Sequence, residues 1–172
     1  MRYKITPDGI SPRLLPGEPG YFYQANSYEH LEDSHTTEEA EERIKQVNKR
    51  RKKIETYLKK HFRMPKVYGD PFSAKIVIIS WGSLKGPILD ALDKLSDVAL
   101  VYFSFVHPWD KEKVKDFIKP FSEKLVLVEN NSFGQFGSLI ESLGFSFKKK
   151  ILKYDGRPFY PEEIVESLKE LL

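Results

Sequence analysis

The sequence predicts an α/β protein in which an irregular arm and a long helix precede a domain with a largely parallel sheet and helices on both faces. Three observations carry this. Prolines and glycines crowd residues 1 to 36. One helical period then runs unbroken from about 38 to 63. From Ala74 onward, short β-branched runs alternate with helical stretches.

In the arm, Pro7, Pro12, Pro16 and Pro19 are interspersed with Gly9, Gly17 and Gly20, a spacing that no helix and no central strand tolerates. The same segment holds Tyr21, Phe22, Tyr23 and Tyr28, more aromatic surface than a solvated linker carries. The arm, with part of the helix after it, is therefore expected to extend from the α/β body and to pack against another subunit or a second copy of the chain.

Thr36 and Thr37 can cap a helix whose first turn holds Glu38, Glu39, Glu41 and Glu42, acids that the positive end of the helix dipole stabilises. Ile44, Val47, Ile54, Leu58 and Phe62 fall on one face, and Pro65 stops the pattern near Arg63. At ~1.5 Å per residue this helix would be roughly 40 Å long, more than one small domain needs.

Beyond it, Lys75–Ser80 reads as a strand apolar on both faces, Leu84–Leu95 as a helix and Val98–Phe105 as a strand. Asp110–Lys119 is helical, Lys124–Val128 a strand, Gly134–Leu143 a helix, Ser146–Leu152 a strand, and Pro161–Leu171 a closing helix with proline in its first turn. The expected organisation is an arm over 1–36, a long helix over 37–65 and an α/β domain over 66–172.

Composition narrows the chemistry. Twenty-eight basic residues against 25 acidic ones leave a net charge of +3, too small to argue for nucleic acid. With no cysteine, the chain can hold neither a thiolate zinc site, nor a cysteine nucleophile, nor a cysteine-ligated iron–sulfur cluster. The amino terminus lacks the apolar stretch of a secretory signal, and the longest apolar-rich run, Val98–Val106, is too short to span a bilayer, so a cytoplasmic location without membrane contact is expected. Heavy use of Lys, Glu and Ile leans toward a thermophilic source.

Four constellations could carry chemistry. Gly82-Ser83-Leu84-Lys85-Gly86 lies between a strand and a helix, where α/β sheets hold phosphates, but Leu84 stands where the dinucleotide fingerprint needs glycine, and the spacing fails the triphosphatase loop. Glu29-His30-Leu31-Glu32-Asp33-Ser34-His35 gathers possible metal ligands in a loop that does not orient them, so polar contact at an interface is the favoured reading. Lys49 to Lys53 wrap around a helix rather than forming a stripe and have no aromatic platform, while Glu39 with Arg43, Glu41 with Lys45 and Glu55 with Lys59, each four residues apart, can pair one turn apart; a solvated or subunit-contacting helix follows. Glu129-Asn130-Asn131-Ser132-Phe133-Gly134-Gln135 sits at the carboxyl end of a buried strand and reads either as a capped turn or as a ligand or partner contact.

Several segments together resemble the alpha subunits of 2-oxoacid:ferredoxin oxidoreductases. They are Arg2-Tyr3-Lys4-Ile5-Thr6-Pro7-Asp8-Gly9-Ile10-Ser11-Pro12-Arg13 with Pro16-Gly17; Glu29-His30 and His35-Thr36-Thr37-Glu38; Lys49 to Lys53; Trp81-Gly82-Ser83; Glu129-Asn130-Asn131 with Gly134-Gln135; and Tyr154 to Phe159. They occur in the family's order over almost the whole chain. The resemblance implies a transketolase C-terminal-like, three-layer α/β/α sandwich with a mixed, mainly parallel sheet from about Lys66, and a glycine where Ser34 stands. It also implies that the thiamine-facing domain lies upstream, so the chain is expected to be a carboxy-terminal portion: a split-gene subunit, a relic or a fragment. No catalytic, cofactor or metal residue is then expected here. Thiamine diphosphate, magnesium and the iron–sulfur clusters are expected in partner domains or subunits of an enzyme that decarboxylates pyruvate or a related 2-oxoacid. A homo-oligomer through the arm or the long helix is a further expectation. The candidate interface residues are Ser11, Arg13, Tyr21, Tyr23, Glu29, His30, Gly82, Ser83, Asn130, Asn131, Gly134 and Gln135. A non-catalytic interaction module that has left the enzyme is the alternative.

Overall fold

Two short extended pieces, Glu29–His30 (β1) and Thr36–Thr37 (β2), pair antiparallel, with Glu29 opposite Thr37 and His30 opposite Thr36. The helix follows at Ala40–Lys60 (α1). Thr36 and Thr37 thus form a strand rather than the expected cap. Glu39 occupies the N-cap position without a side-chain cap, and its amide donates to Thr37 Oγ1 at 3.1 Å. The helix closes before Arg63, where the His61 and Phe62 amides both turn back to the Tyr57 carbonyl. A computed structural model describes all 172 residues, and this amino-terminal unit comprises Met1–Phe62.

Within the unit the helix is covered along a polar face. Gln46, Lys49 and Thr56 are buried, whereas Ile44 and Ile54 of the expected apolar face are 59% and 44% exposed. Hydrogen bonding explains this. The arm's carbonyls have no strand partner and need donors, which α1 provides. Gln46 Nε2 and Lys49 Nζ donate to the Tyr3 carbonyl at 3.0 and 2.9 Å, and Thr56 Oγ1 donates to that of Asp8 at 2.6 Å. Gly9, at φ +77°, lies so close to α1 that a Cβ would overlap the Lys49 carbonyl and the Lys53 amide, which restricts the position to glycine. The acid–base pairs on the helix surface are Lys45 with Glu42 and Lys52 with Glu55, three residues apart rather than the expected four.

The second unit, Arg63–Leu172, holds a five-stranded sheet made by Lys66–Tyr68 (β3), Ile76–Trp81 (β4), Val98–Phe103 (β5), Leu125–Glu129 (β6) and Lys149–Leu152 (β7). The order across the sheet is β3-β5-β4-β6-β7. All pairs are parallel except β3 with β5, so the sheet is mixed and mainly parallel. The four parallel strands match the alternation read from the sequence. Edge strand β3 has no counterpart there, because three residues before a turn carry no readable period.

Helices Lys85–Leu92 (α2), Lys111–Ile118 (α3), Gln135–Glu141 (α4) and Pro161–Lys169 (α5) connect and cover the sheet. Alternate positions of the buried strands face opposite layers. Ile76, Ile78, Leu100, Val126 and Val128 pack with Ile88 and Ala91 of α2 and Ile164, Val165 and Leu168 of α5. On the other face, Phe103 meets Trp109, which precedes α3, and Phe136 of α4 at ring distances of 5.7 and 5.0 Å. Burying such side chains contributes about 1.5–3 kcal/mol each, and helices on both faces explain why the strands are apolar on both sides. No helix is long and apolar enough to cross a membrane.

Candidate functional site

β4 lies between β5 and β6, so the chain leaves β4 toward one neighbour and later returns to the other. At such a reversal the loops leaving two adjacent parallel strands diverge to opposite faces and open a crevice beyond the carboxyl ends. The crevice here has a volume of about 180 Å³ and is lined by Trp81, Gly82, Ser83, Leu84, Asn130 and Asn131.

Its walls are set by internal hydrogen bonds. Glu129, 1% exposed, ends β6 and accepts through Oε1 from the Phe136 amide (3.0 Å), Asn131 Nδ2 (2.5 Å) and the Trp81 indole N–H (3.4 Å), and through Oε2 from the Gly137 amide (3.2 Å). One buried carboxylate therefore ties both strand ends to the first turn of α4, where it also meets the positive end of the helix dipole. Asn131 Oδ1 accepts from the amides of Phe133, Gly134 and Gln135, and Asn130 Nδ2 donates to the Lys153 carbonyl at 2.7 Å. Gly134 takes φ +62°, and a Cβ there would press on Leu127 at 3.1 Å. The Gly82 carbonyl accepts from the Tyr102 hydroxyl at 3.0 Å. Left facing outward are Ser83 and Gln135, the Trp81 ring (37% exposed) and the Phe133 ring (80% exposed).

The remaining candidates fall in the first unit. Glu29 accepts two bonds from Arg50, at 2.6 and 3.2 Å, and the guanidinium is the main reason its carboxyl lies below the ordinary carboxylate range. His30 stacks on Tyr3 with ring centroids 4.3 Å apart, and its Nε2 sits 3.1 Å from the Asn26 carbonyl. Ser11 Oγ donates to the Lys4 carbonyl and accepts from Lys49 Nζ at 3.0 Å. Tyr23 lies under the Arg2 guanidinium, 5.7 Å from ring centre to carbon. Arg13 and Tyr21 project into solvent.

Ten of the twelve candidates thus form two groups, one in each unit, and Arg13 and Tyr21 stand outside both. Gly82, Ser83, Asn130 and Asn131 line the crevice, and Gly134 and Gln135 adjoin it through their amides, which donate to Asn131 Oδ1; Ser11, Tyr23, Glu29 and His30 gather where the arm meets α1. The possible metal ligands of residues 29–35 diverge: Glu29 turns to Arg50, His30 to Asn26, and His35 to Asp33 at 3.2 Å. Sequence reasoning missed Arg2 and Lys49 as parts of the first-unit group and Glu129 as the organiser of the second. The recurrence of polar Gln46, Lys49, Lys53 and Thr56 at helical spacing was the available signal for a covered polar face.

No family model matches the chain. Among curated proteins, the alpha subunit of 2-oxoacid:ferredoxin oxidoreductase 1 from Sulfurisphaera tokodaii is 33% identical over 99% of this chain and 27% of its own length. The alpha subunit of the Saccharolobus solfataricus 2-oxoacid:ferredoxin oxidoreductase is 34% identical over 99% of the chain and 28% of its length. The chain is a relative of 2-oxoacid:ferredoxin oxidoreductase alpha subunits. It spans about a quarter of the length of these relatives. Among solved structures, a 2-oxoglutarate:ferredoxin oxidoreductase from Magnetococcus marinus, with 2-oxoglutarate, coenzyme A and succinyl-CoA bound, superposes with a TM-score of 0.70 and 28% identity over 99% of this chain and 30% of that one. The likeness to these alpha subunits covers the arm and α1 as well as the sheet.

A magnesium-bound diphosphate does not fit the crevice. Magnesium and a diphosphate need carboxylates free to coordinate, and the crevice's one buried carboxylate, Glu129, is committed to four donors. Nowhere do three His, Cys, Asp or Glu side chains converge on a possible metal position.

Proposed function

We propose that the chain is the carboxy-terminal domain, or a split subunit, of a 2-oxoacid:ferredoxin oxidoreductase alpha chain. In this role it supports the thiamine diphosphate-dependent oxidative decarboxylation of a 2-oxoacid to an acyl-coenzyme A with electrons passed to ferredoxin. Its own contribution is structural: it presents surfaces to the domains or subunits that hold thiamine diphosphate, magnesium and the iron–sulfur clusters. The reading rests on one observation above all. The polar atoms at the crevice are spent on internal hydrogen bonds, whereas Trp81, Ser83, Phe133 and Gln135 face outward from a rigid edge. Fixed loops with outward aromatic and amide side chains suit contact with another protein surface, since little ordering entropy remains to be lost on binding.

The test is assembly. The chain is mixed with the thiamine-binding remainder of an alpha subunit from the same source, and the dissociation constant is measured by titration. Parent chain should bind, and Gln135→Ala and Phe133→Ala should weaken binding by about 1–3 kcal/mol while leaving thermal stability unchanged. Failure to associate with that partner would leave the chain as a free-standing interaction module. Association unaffected by either substitution would move the contact away from the crevice.

A further inference from the structure

Where the arm crosses α1, four cations surround one small pocket of about 210 Å³: Arg2, Lys49, Arg50 and Lys53, with the Ser11 hydroxyl and the Tyr3 ring completing its wall. Only one of the four has an acidic partner. Arg50 is matched by Glu29; the nearby Glu32 is occupied by the Ile5 amide at 2.7 Å. Arg2 donates no hydrogen bond: its Nε is buried without a partner, and the guanidinium rests only against the Tyr3 and Tyr23 rings. Lys49 is 8% exposed, yet its ammonium reaches only neutral oxygens, the Tyr3 carbonyl at 2.9 Å and Ser11 Oγ at 3.0 Å. Lys53 has no partner.

A buried ammonium among uncompensated cations is costly, because desolvation and like-charge repulsion both oppose its charge. Burial, then Arg50, accordingly lowers its pKa; Glu29 opposes this, Arg2 adds to it and Glu32 opposes it least. Four positive groups against the two carboxylates of Glu29 and Glu32 leave the pocket net positive, which calls for a multiply charged anion rather than another single carboxylate. Arginine forks and lysine ammonium groups converging with a hydroxyl are the donors that hold phosphate oxygens.

We propose that the pocket bounded by Arg2, Ser11, Lys49 and Lys53 is a binding site for the phosphate group of a small-molecule ligand. Gly9 and the Glu29–Arg50 pair position it, by holding the arm against the helix so that Arg2 and Ser11 face the lysines. The site lies in the first unit and does not depend on the assembly role assigned to the crevice.

The 172-residue chain is titrated calorimetrically with inorganic phosphate and with pyrophosphate at constant ionic strength, with acetate for comparison. Phosphate should bind saturably, with a dissociation constant below about 10 mM, and pyrophosphate more tightly. Lys53→Gln and Arg2→Gln should each weaken binding by about tenfold, whereas Lys59→Gln, on the exposed surface of the same helix, should not alter it. Phosphate should also raise the melting temperature of the parent and not that of Lys53→Gln, a solvent-facing change that leaves the fold's contacts in place. Absence of saturable binding overturns the site. So does equal weakening in all three variants, which is the mark of diffuse charge, and acetate binding as tightly as phosphate overturns the assignment to phosphate.

Discussion

Glu29 and Arg50 form a two-bond ion pair, at 2.6 and 3.2 Å, that fastens the β1–β2 hairpin to the long helix. The glutamate side chain is 8% exposed and the arginine 52%, so one partner is shielded while the other reaches solvent. Removing the arginine would leave a buried carboxylate unpaired, the more damaging of the two possible losses. Arg50→Ala should therefore destabilise the first unit by on the order of 1–3 kcal/mol and speed proteolytic cleavage between Gly9 and His35. Unchanged cleavage kinetics would show that the other arm contacts suffice without the pair.

The same pair sets a pH dependence. Arg50 hydrogen bonding, the largest effect, holds the Glu29 carboxyl below its ordinary value of 4.5 in the folded chain. Its stabilising contribution is thus complete above the unfolded value and is lost as pH falls through the lower, folded one. The protection of β1 and β2 amides, taken relative to their intrinsic exchange rates, should be high at pH 6 and fall as the solution is taken below about pH 4. In Glu29→Gln that acid step should shrink.

Ser34 adopts φ +87° while 2% exposed, in the turn closed by its own amide bonding to the Leu31 carbonyl. A left-handed backbone costs a residue with a Cβ about 1–2 kcal/mol, and glycine escapes most of this. Ser34→Gly should raise stability by about 0.5–1 kcal/mol after glycine's larger unfolded-state entropy is counted, read as a higher melting temperature. A lower one would mean that serine compensates for the strain.

Glu129→Ala should free four donors at once, two of them main-chain amides of α4. A loss of about 2–4 kcal/mol is expected from leaving buried donors unsatisfied. Because the Trp81 indole N–H is one of the four, its fluorescence should shift in a Trp109→Phe background, and the Glu129→Gln variant should recover part of both effects. Equal stability of the Ala variant would remove Glu129 from its role as organiser of the loop.

Gly137 in α4 lies over Leu127 of β6, where an added Cβ would fall well inside van der Waals contact with the leucine side chain. Gly137→Ala should cost about 1–3 kcal/mol despite alanine's better helix propensity. Combining it with Leu127→Ala should restore part of that loss, as the non-additivity of the double-mutant cycle would reveal.

The sequence by itself determined the order of elements in the second unit, because buried parallel strands need β-branched runs and their crossovers need helical ones; Ile76–Trp81, Val98–Phe103 and Leu125–Glu129 each stand within one residue or two of where the pattern places them. It also brought Trp81-Gly82-Ser83 and the segment from Glu129 to Gln135 forward as loops at carboxyl strand ends. Only the tertiary structure decided that those two loops share one crevice, since neighbourhood in a sheet depends on a strand order that no local period encodes. It likewise decided that α1 is covered along Gln46, Lys49 and Thr56 rather than along Ile44 and Ile54 within its unit. Hydrophobic periodicity describes what a helix gains by leaving water, whereas a proline- and glycine-rich arm seeks donors for its carbonyls, and that demand becomes visible only when the two segments meet.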